Sequence, residues 1–320
     1  MTAALAPLYV ACVGALALWG IHRFLLLRAF RRSPWQRDRI AASAPRQWPT
    51  VTVQLPIYNE RNVVERLVEA AGALRYPRER LEIQVLDDST DDTADLARAA
   101  VAGLQARGLD ADHVRRPDRR GYKAGALDYG LRTARGELIA IFDADFVPQP
   151  DFLERLVGEF DDAPDVGMVQ ARWGHINRDQ SVLTRAQSAL LDGHFVIEHT
   201  ARAAAGHYFN FNGTAGLWRR AAIDAAGGWE HDTLTEDLDL SYRAQLAGWR
   251  FVYRPDVVAP AEVPADLAAF KNQQHRWARG SAQVLRKLGL RLLRAPIPWR
   301  LRIEALAQHL GAAARPAVLL

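Results

Sequence analysis

The chain has 320 residues, 49% of them hydrophobic, enough for one large domain or two small ones with a substantial core. Its net charge is +4, and nearly all of its basic residues are Arg, with Lys only at 123, 271 and 287. No run of basic residues is interleaved with aromatics, which argues against a nucleic-acid partner. The single cysteine, Cys12, excludes an intrachain disulfide or a cysteine zinc cluster.

Thr2 to His22 contains no Asp, Glu, Lys or Arg, and as a helix it spans about 30 Å, the thickness of a bilayer core. Arg23, Arg28, Arg31, Arg32, Arg37 and Arg39 follow at once. The pattern predicts a transmembrane helix over 1–22 and a basic linker over 23–49, which also carries Pro34, Pro45 and Pro49. The positive-inside rule then places the remaining chain on the cytoplasmic side of a bacterial inner or plasma membrane. A cleaved signal peptide is the alternative; it lacks the usual basic start and is followed by arginines. The basic excess lies mostly near the two ends, which fits an anionic membrane surface.

Val51–Pro56 is a short β-rich run ending at a proline. Asn59, Glu60 and Arg61 open a helix whose apolar face is Val63, Val64, Leu67, Val68 and Ala71. Leu81–Leu86 is a second strand, closed by the turn Asp87-Asp88-Ser89, and Thr93–Leu104 a helix. Leu138–Phe142 is a third strand, followed directly by Asp143, and Val166–Trp173 a fourth. This alternation predicts an α/β domain over 50–264, with a mixed, mainly parallel sheet flanked by helices. The acidic clusters fall where open α/β sheets bind ligands, beyond the carboxyl ends of the strands.

Each cluster has a chemical and an ordinary reading. Asp88 can accept from a uracil N–H or a ribose hydroxyl, or simply shape the turn. Asp143 and Asp145, two carboxylates after a buried strand, suit Mg²⁺ or Mn²⁺ holding a diphosphate; a solvated turn is the alternative. Lys123, in Gly121-Tyr122-Lys123-Ala124-Gly125, can touch phosphate, and Gly125 allows close backbone approach. Asn212, Gly213 and Thr214 either line an acceptor site or form a tight loop. Thr235-Glu236-Asp237 starts a helix, where acids complement the dipole; functionally, Asp237 is the candidate general base. Gln273, Arg276 and Trp277 fit one helical turn. Arg suits a diphosphate and an indole face suits a sugar ring, while the same residues fit an amphipathic helix at a membrane interface over 265–304.

Eight segments in order carry a family likeness: Gln54-Leu55-Pro56-Ile57-Tyr58-Asn59-Glu60, Leu86-Asp87-Asp88-Ser89-Thr90-Asp91, Gly121 to Leu127, Phe142-Asp143-Ala144-Asp145, Val169-Gln170-Ala171-Arg172-Trp173, Phe211 to Gly216, Thr235-Glu236-Asp237 and Gln273-Gln274-His275-Arg276-Trp277. Over about residues 48–310 the chain resembles the processive, inverting family 2 glycosyltransferases, above all the cellulose-synthase-like enzymes that make β-linked glucan or mannan. The resemblance implies a GT-A fold, a UDP-sugar donor and Mg²⁺ or Mn²⁺, while no residue distinguishes UDP-glucose from GDP-mannose as the nucleotide sugar. Asp88 would then bind the nucleotide, and Asp143 and Asp145 the diphosphate and metal. Lys123, Gln273 and Arg276 would hold the donor, and Asp237 would be the base. Trp277 would stack on the acceptor, with Asn212, Gly213, Thr214 and Glu236 beside it. The expected activity is a membrane-bound hexosyltransferase extending a β-linked polysaccharide, or alternatively one transferring a single sugar to a lipid acceptor. Phe146 stands where bacterial cellulose synthases resemble one another in having His, and neither a cyclic-di-GMP domain nor a gating loop is recognisable. Residues 305–320 read as the start of a truncated membrane segment.

Overall fold

The computed structural model describes residues 2–33 and 45–319. Helix α1 runs over Thr2–Arg32. The stretch expected as a linker from residue 23 therefore begins as helix. Arg is a good helix former, and Arg31 and Arg32 sit in the last turn, where the dipole favours positive charge. The helix ends before Ser33-Pro34, since the residue preceding proline is disfavoured in helical geometry. The rest of the expected linker, 34–44, lies outside the described residues. Among the described residues no helix is long and apolar enough to cross a membrane. Many side chains of 1–22, where the span is expected, also lie outside them.

The domain that follows alternates strands and helices. In chain order they are β1 (Val51–Ile57), α2 (Val64–Gly72), β2 (Leu81–Asp87), α3 (Thr93–Ala106), β3 (Asp110–Arg115), α4 (Tyr122–Leu131), β4 (Leu138–Ile141), α5 (Phe152–Val157) and β5 (Val166–His175). Then come α6 (Val182–Asp192), a π-helical segment Gly193–His199, α7 (Thr200–Ala204), β6 (Gly216–Arg219), α8 (Arg220–Ala225), α9 (Glu236–Leu246), β7 (Arg250–Ala261), α10 (Leu267–Arg294) and α11 (Trp299–Leu319).

The strands form one sheet in the order β3-β2-β1-β4-β6-β5-β7. Pairing is parallel except at β6, which runs antiparallel to both neighbours. The sheet buries both faces, so its strands alternate between two cores. Leu138 and Ala140 join Val53, Leu67 and Leu104 on the side of α2 and α3. Ile139 and Ile141 join Leu127, Trp218 and Leu240 on the side of α4 and α9. A third cluster, including Leu238, Tyr242, Val284, Leu292 and Ala305, packs α10 and α11 against α9. β7 carries Pro255 and Pro260, which its edge position tolerates.

The antiparallel strand matters most for the site. Gly216 at the start of β6 pairs with Ile141 at the end of β4. The loop entering β6 therefore lands on the same sheet edge as the carboxyl ends of β1, β2 and β4. Ala215 N–H donates to the Ile141 carbonyl at 2.8 Å, which fixes that landing.

Candidate active site

Asp143 follows β4 directly. Its backbone N–H donates to Thr214 Oγ1 at 2.9 Å, and its carboxylate is paired with the Lys123 ammonium. Lys123 sits in the first turn of α4, where Gly121 opens the helix with φ +75°. Its Nζ also donates to the Gly213 carbonyl at 2.9 Å. Gly213 has φ +81°, and a Cβ there would lie 3.3 Å from Asp237 Oδ2 and 3.4 Å from Lys123 Nζ. Only a residue free to adopt a left-handed backbone fits between these charges. Four segments, at the starts of α4 and α9, the end of β4 and the entry to β6, thus meet at one point. Of the expected residues, the structure gathers Lys123, Asp143, Gly213, Thr214, Glu236 and Asp237.

The electrostatics reflect this crowding. Burial, then Asp143, pushes Asp145 up to about 7. Burial, followed by the neighbouring Glu236, likewise raises Asp237 to about 7, against the pull of Lys123. Burial raises Glu236, which the charges of Lys123 and Arg276 partly offset. Burial also raises Glu60, with Asp143 and Asp91 adding to it. Lys123 itself is held above its ordinary value: burial opposes its charge, but Asp143, Glu236 and Asp237 outweigh it. One ammonium thus serves several carboxylates, a surplus of hard oxygen donors that suits a divalent cation. Asp143, Asp145 and Glu60 do not form a closed three-carboxylate cage. A cation on Asp143 and Asp145 would take further ligands from a phosphate, as Mg²⁺ and Mn²⁺ commonly do.

Among the described residues, the three carboxylates that do come within 4.8 Å of one another are Glu230, Asp232 and Asp239. Lys287 Nζ already fills that cluster, at 2.5, 2.6 and 3.0 Å from them. It is a clamp rather than a vacancy: it ties α10 to the segment leading into α9. Gly280 of α10 lies so close to Thr235 that a Cβ would come within 2.5 Å of its Cγ2. Arg276, one turn before Gly280 on the same helix, lies in the field of Glu236. Gln273 and Arg276 line an open groove of about 370 Å³ with Pro264, Ala269 and Asn272. Trp277 follows on the same helix, half-buried.

Asp88 stands apart from this cluster, at the end of β2. Arg116 grips it through two bonds, Nε to Oδ1 at 2.7 Å and a terminal nitrogen to Oδ2 at 2.5 Å. The same guanidinium donates to the Tyr122 carbonyl at 2.8 Å, linking Asp88 to the residue before Lys123. Nearby, the Arg119 guanidinium lies 3.2 Å from the centroid of the partly exposed Tyr58 ring. Arg116 and Arg119 escape a sequence reading because β3 before them is a polar edge strand; the arginine-rich run Arg115-Arg116-Pro117-Asp118-Arg119-Arg120 is the available signal. Asn212, expected beside an acceptor, has its side-chain amide bonded between His194 and His199. Neither histidine carries a motif.

Known proteins share this architecture. The profile of "Glycosyltransferase like family 2" matches residues 49–280. Glucomannan 4-beta-mannosyltransferase 2 of Arabidopsis thaliana is 44% identical over 251 residues, 77% of this chain and 47% of its own length. Glucomannan 4-beta-mannosyltransferase 1 of Oryza sativa subsp. japonica is 42% identical over 77% of this chain and 48% of its own. The chain thus spans about half the length of these curated relatives. Among solved structures, the mannosyltransferase PcManGT from Pyrobaculum calidifontis, in complex with GDP-Man and Mn²⁺, superposes with a TM-score of 0.71 at 26% identity, covering 94% of this chain and 84% of that one. S. aureus TarS 1–349 in complex with UDP-GlcNAc shares the fold at a TM-score of 0.58 and 14% identity, over 83% of this chain and 73% of that one. The match of site segments, sheet and sequence makes this chain a member of glycosyltransferase family 2.

Proposed function

We propose that the protein transfers mannose from GDP-mannose to a growing β-linked mannan or glucomannan, with inversion at the anomeric carbon. The observation that carries this is the meeting of Lys123, Asp143, Gly213 and Asp237 at one sheet edge. The 4-beta-mannosyltransferase relatives and the GDP-Man complex of a 26%-identical neighbour support mannose and guanosine. In this reading Asp143 and Asp145 hold Mg²⁺ or Mn²⁺, which when bound neutralises the departing diphosphate. Lys123, Gln273 and Arg276 supply further positive charge and hydrogen bonds along the donor. Asp88, fixed by Arg116, meets the nucleoside, and Trp277 offers its ring to the acceptor sugar, with Glu236 and the 212–214 loop alongside.

The acceptor hydroxyl attacks the anomeric carbon as the bond to the phosphate oxygen breaks, and GDP leaves with the electron pair. Asp237 takes the hydroxyl proton. Burial suits it to that task, because a base near 7 is both available and strong enough at neutral pH. Attack opposite the leaving group turns an α-linked donor into a β-linked product.

Attachment to a membrane belongs to the same proposal. Its support is the uncharged run of 2–22 and the exposed Tyr9, Val10, Trp19 and Ile21 on α1. Flotation of the full chain with liposomes tests it: protein that stays in the dense fraction refutes attachment.

The decisive experiment is Asp237→Asn, assayed for GDP release and GDP-mannose binding. Turnover should fall by roughly 10²–10⁴-fold with donor affinity retained. Unchanged turnover would remove Asp237 as base. Chromatography of the wild-type product should show a ladder of β-linked oligomers; one lipid-linked sugar would replace the polymer with a glycolipid.

A further inference from the structure

The segment Gly193–His199 is a π-helical turn between α6 and α7. Such turns insert an extra residue into a helix and often mark functional places. Here the turn brings two imidazoles together, His194 and His199, with ring centroids 4.4 Å apart at 67°. Between them sits the Asn212 amide. His199 Nε2 lies 2.7 Å from Asn212 Oδ1, and His194 Nε2 lies 3.0 Å from Asn212 Nδ2. The two bonds demand opposite roles of the two Nε2 atoms. His199 Nε2–H donates to the amide oxygen, while His194 Nε2 accepts from the amide nitrogen. His194 then carries its proton on Nδ1, which faces Glu198 Oε2 at 3.6 Å.

The surroundings hold this arrangement. His199 is fully buried among Phe195, Phe209 and Tyr253, each ring centroid within 5.5 Å. Burial, aided by His194 and Arg202, keeps its pKa well below the ordinary value, so the ring is neutral and keeps a single donor. The Asn212 backbone N–H donates to Gln170 Oε1 at 3.0 Å, and Gln170 Nε2 donates to the Thr214 and Ala215 carbonyls.

The next residue, Gly213, presents its carbonyl to Lys123, and Thr214 accepts from the Asp143 N–H. We propose that His194 and His199 are positioning residues for glycosyl transfer, clamping the Asn212 amide so that the Gly213 carbonyl aims at Lys123 and the loop keeps its distance from Asp237. Neither histidine touches the reacting atoms, and the inference rests on the transferase reading above. Fixing Asn212 by side-chain bonds on two sides leaves the left-handed Gly213 one backbone orientation. Misaiming a catalytic group by about 1 Å can lower a rate about 100-fold.

The test uses the full chain with GDP-mannose and Mn²⁺. His199→Phe keeps the ring packing but removes the donor. It should lower kcat by roughly 10- to 100-fold while leaving KM for GDP-mannose within about threefold. His199→Gln, whose amide nitrogen reaches a similar point, should recover most of that loss. A double-mutant cycle with Asn212→Ala separates positioning from packing. If His199 acts through Asn212, the double variant is no slower than Asn212→Ala alone; additive losses overturn the proposal. An unaltered kcat in His199→Phe overturns it too. Should His199→Phe fail to fold, the ¹⁵N shifts of wild-type His199 decide: a proton on Nε2 supports the clamp, and a proton on Nδ1 refutes it. Wild-type protein that turns over no sugar nucleotide would instead sink the transferase reading itself, a result separable from each of these.

Discussion

Asp237 is a carboxylate made basic by its setting. Its side chain is half-buried beside Glu236, and Lys123 and the Leu238 N–H, at 2.8 Å from Oδ1, work against the desolvation. A base with a pKa raised to about 7 is inactive when protonated, so catalysis should increase as pH rises through that value. The pH profile of kcat/KM should accordingly climb between about pH 6 and 8. A profile flat from pH 5 to 8 would show that Asp237 titrates elsewhere or is not the base. Gly213 faces it with a demand of a different kind. Gly213→Ala forces a side chain into a left-handed backbone and places a methyl 3.3 Å from Asp237 Oδ2. The strain amounts to about 1–2 kcal/mol, and turnover should drop with it. A variant with wild-type melting temperature and wild-type rate would contradict this account of the loop.

Helix α10 carries Gln273, Arg276 and Trp277, but its position is set further along, by Gly280 against Thr235 and Lys287 in its three carboxylates. Gly280→Ala leaves the helical backbone unperturbed and even favours it, yet it puts a methyl where Thr235 already stands. Overpacking of this kind costs about 1–3 kcal/mol. Because Arg276 lies one turn away, the displacement should raise KM for the donor several-fold; a lowered melting temperature with unaltered KM would show that α10 does not position it. Elements also mark where a sequence stops being readable. Strands β1, β2, β4 and β5 and helices α2, α3 and α9 follow from periodicity and turn residues, because each is amphipathic or buried on its own account. β3, polar on an edge, and β6, four residues long in the middle of the sheet, carry no such signature. The acidic motifs could be located individually, whereas their meeting could not: Gly213 reaches Asp237 and Lys123 only because β6 enters the sheet antiparallel. The π-turn is hidden for the same reason, since its two histidines acquire meaning from a loop some dozen residues later.

At the scale of the whole molecule, the two ends of the chain are stitched into the domain. His22 of α1 lies 2.8 Å from Glu304 of α11, a separation of 282 residues in sequence. Glu304 also accepts from Arg202 Nε of α7 at 3.0 Å, and Arg202 continues to Glu198 at 3.2 Å. Glu198 is in turn paired with Arg23 of α1. The terminal helices therefore grip the π-turn region that holds Asn212. Burial alone would raise the Glu304 carboxyl, but His22 and Arg202 hold it down at about 2. The linkage has a definite sign. A carboxylate depressed in the folded state adds stability that is fully present above its unfolded value of 4.5 and is lost as pH falls toward 2. Removing one partner also leaves Arg202, 2% exposed, short of a counter-charge. Glu304→Gln should thus lower stability at pH 7 by on the order of 2–3 kcal/mol. The gap from wild type should narrow as pH drops below 4.5, because the wild-type carboxylate is then being protonated. Urea unfolding of both proteins at pH 7, 4.5 and 3 measures this. A gap that stays constant across the three, or that is absent at pH 7, would mean the network does not fasten the terminal helices to the domain.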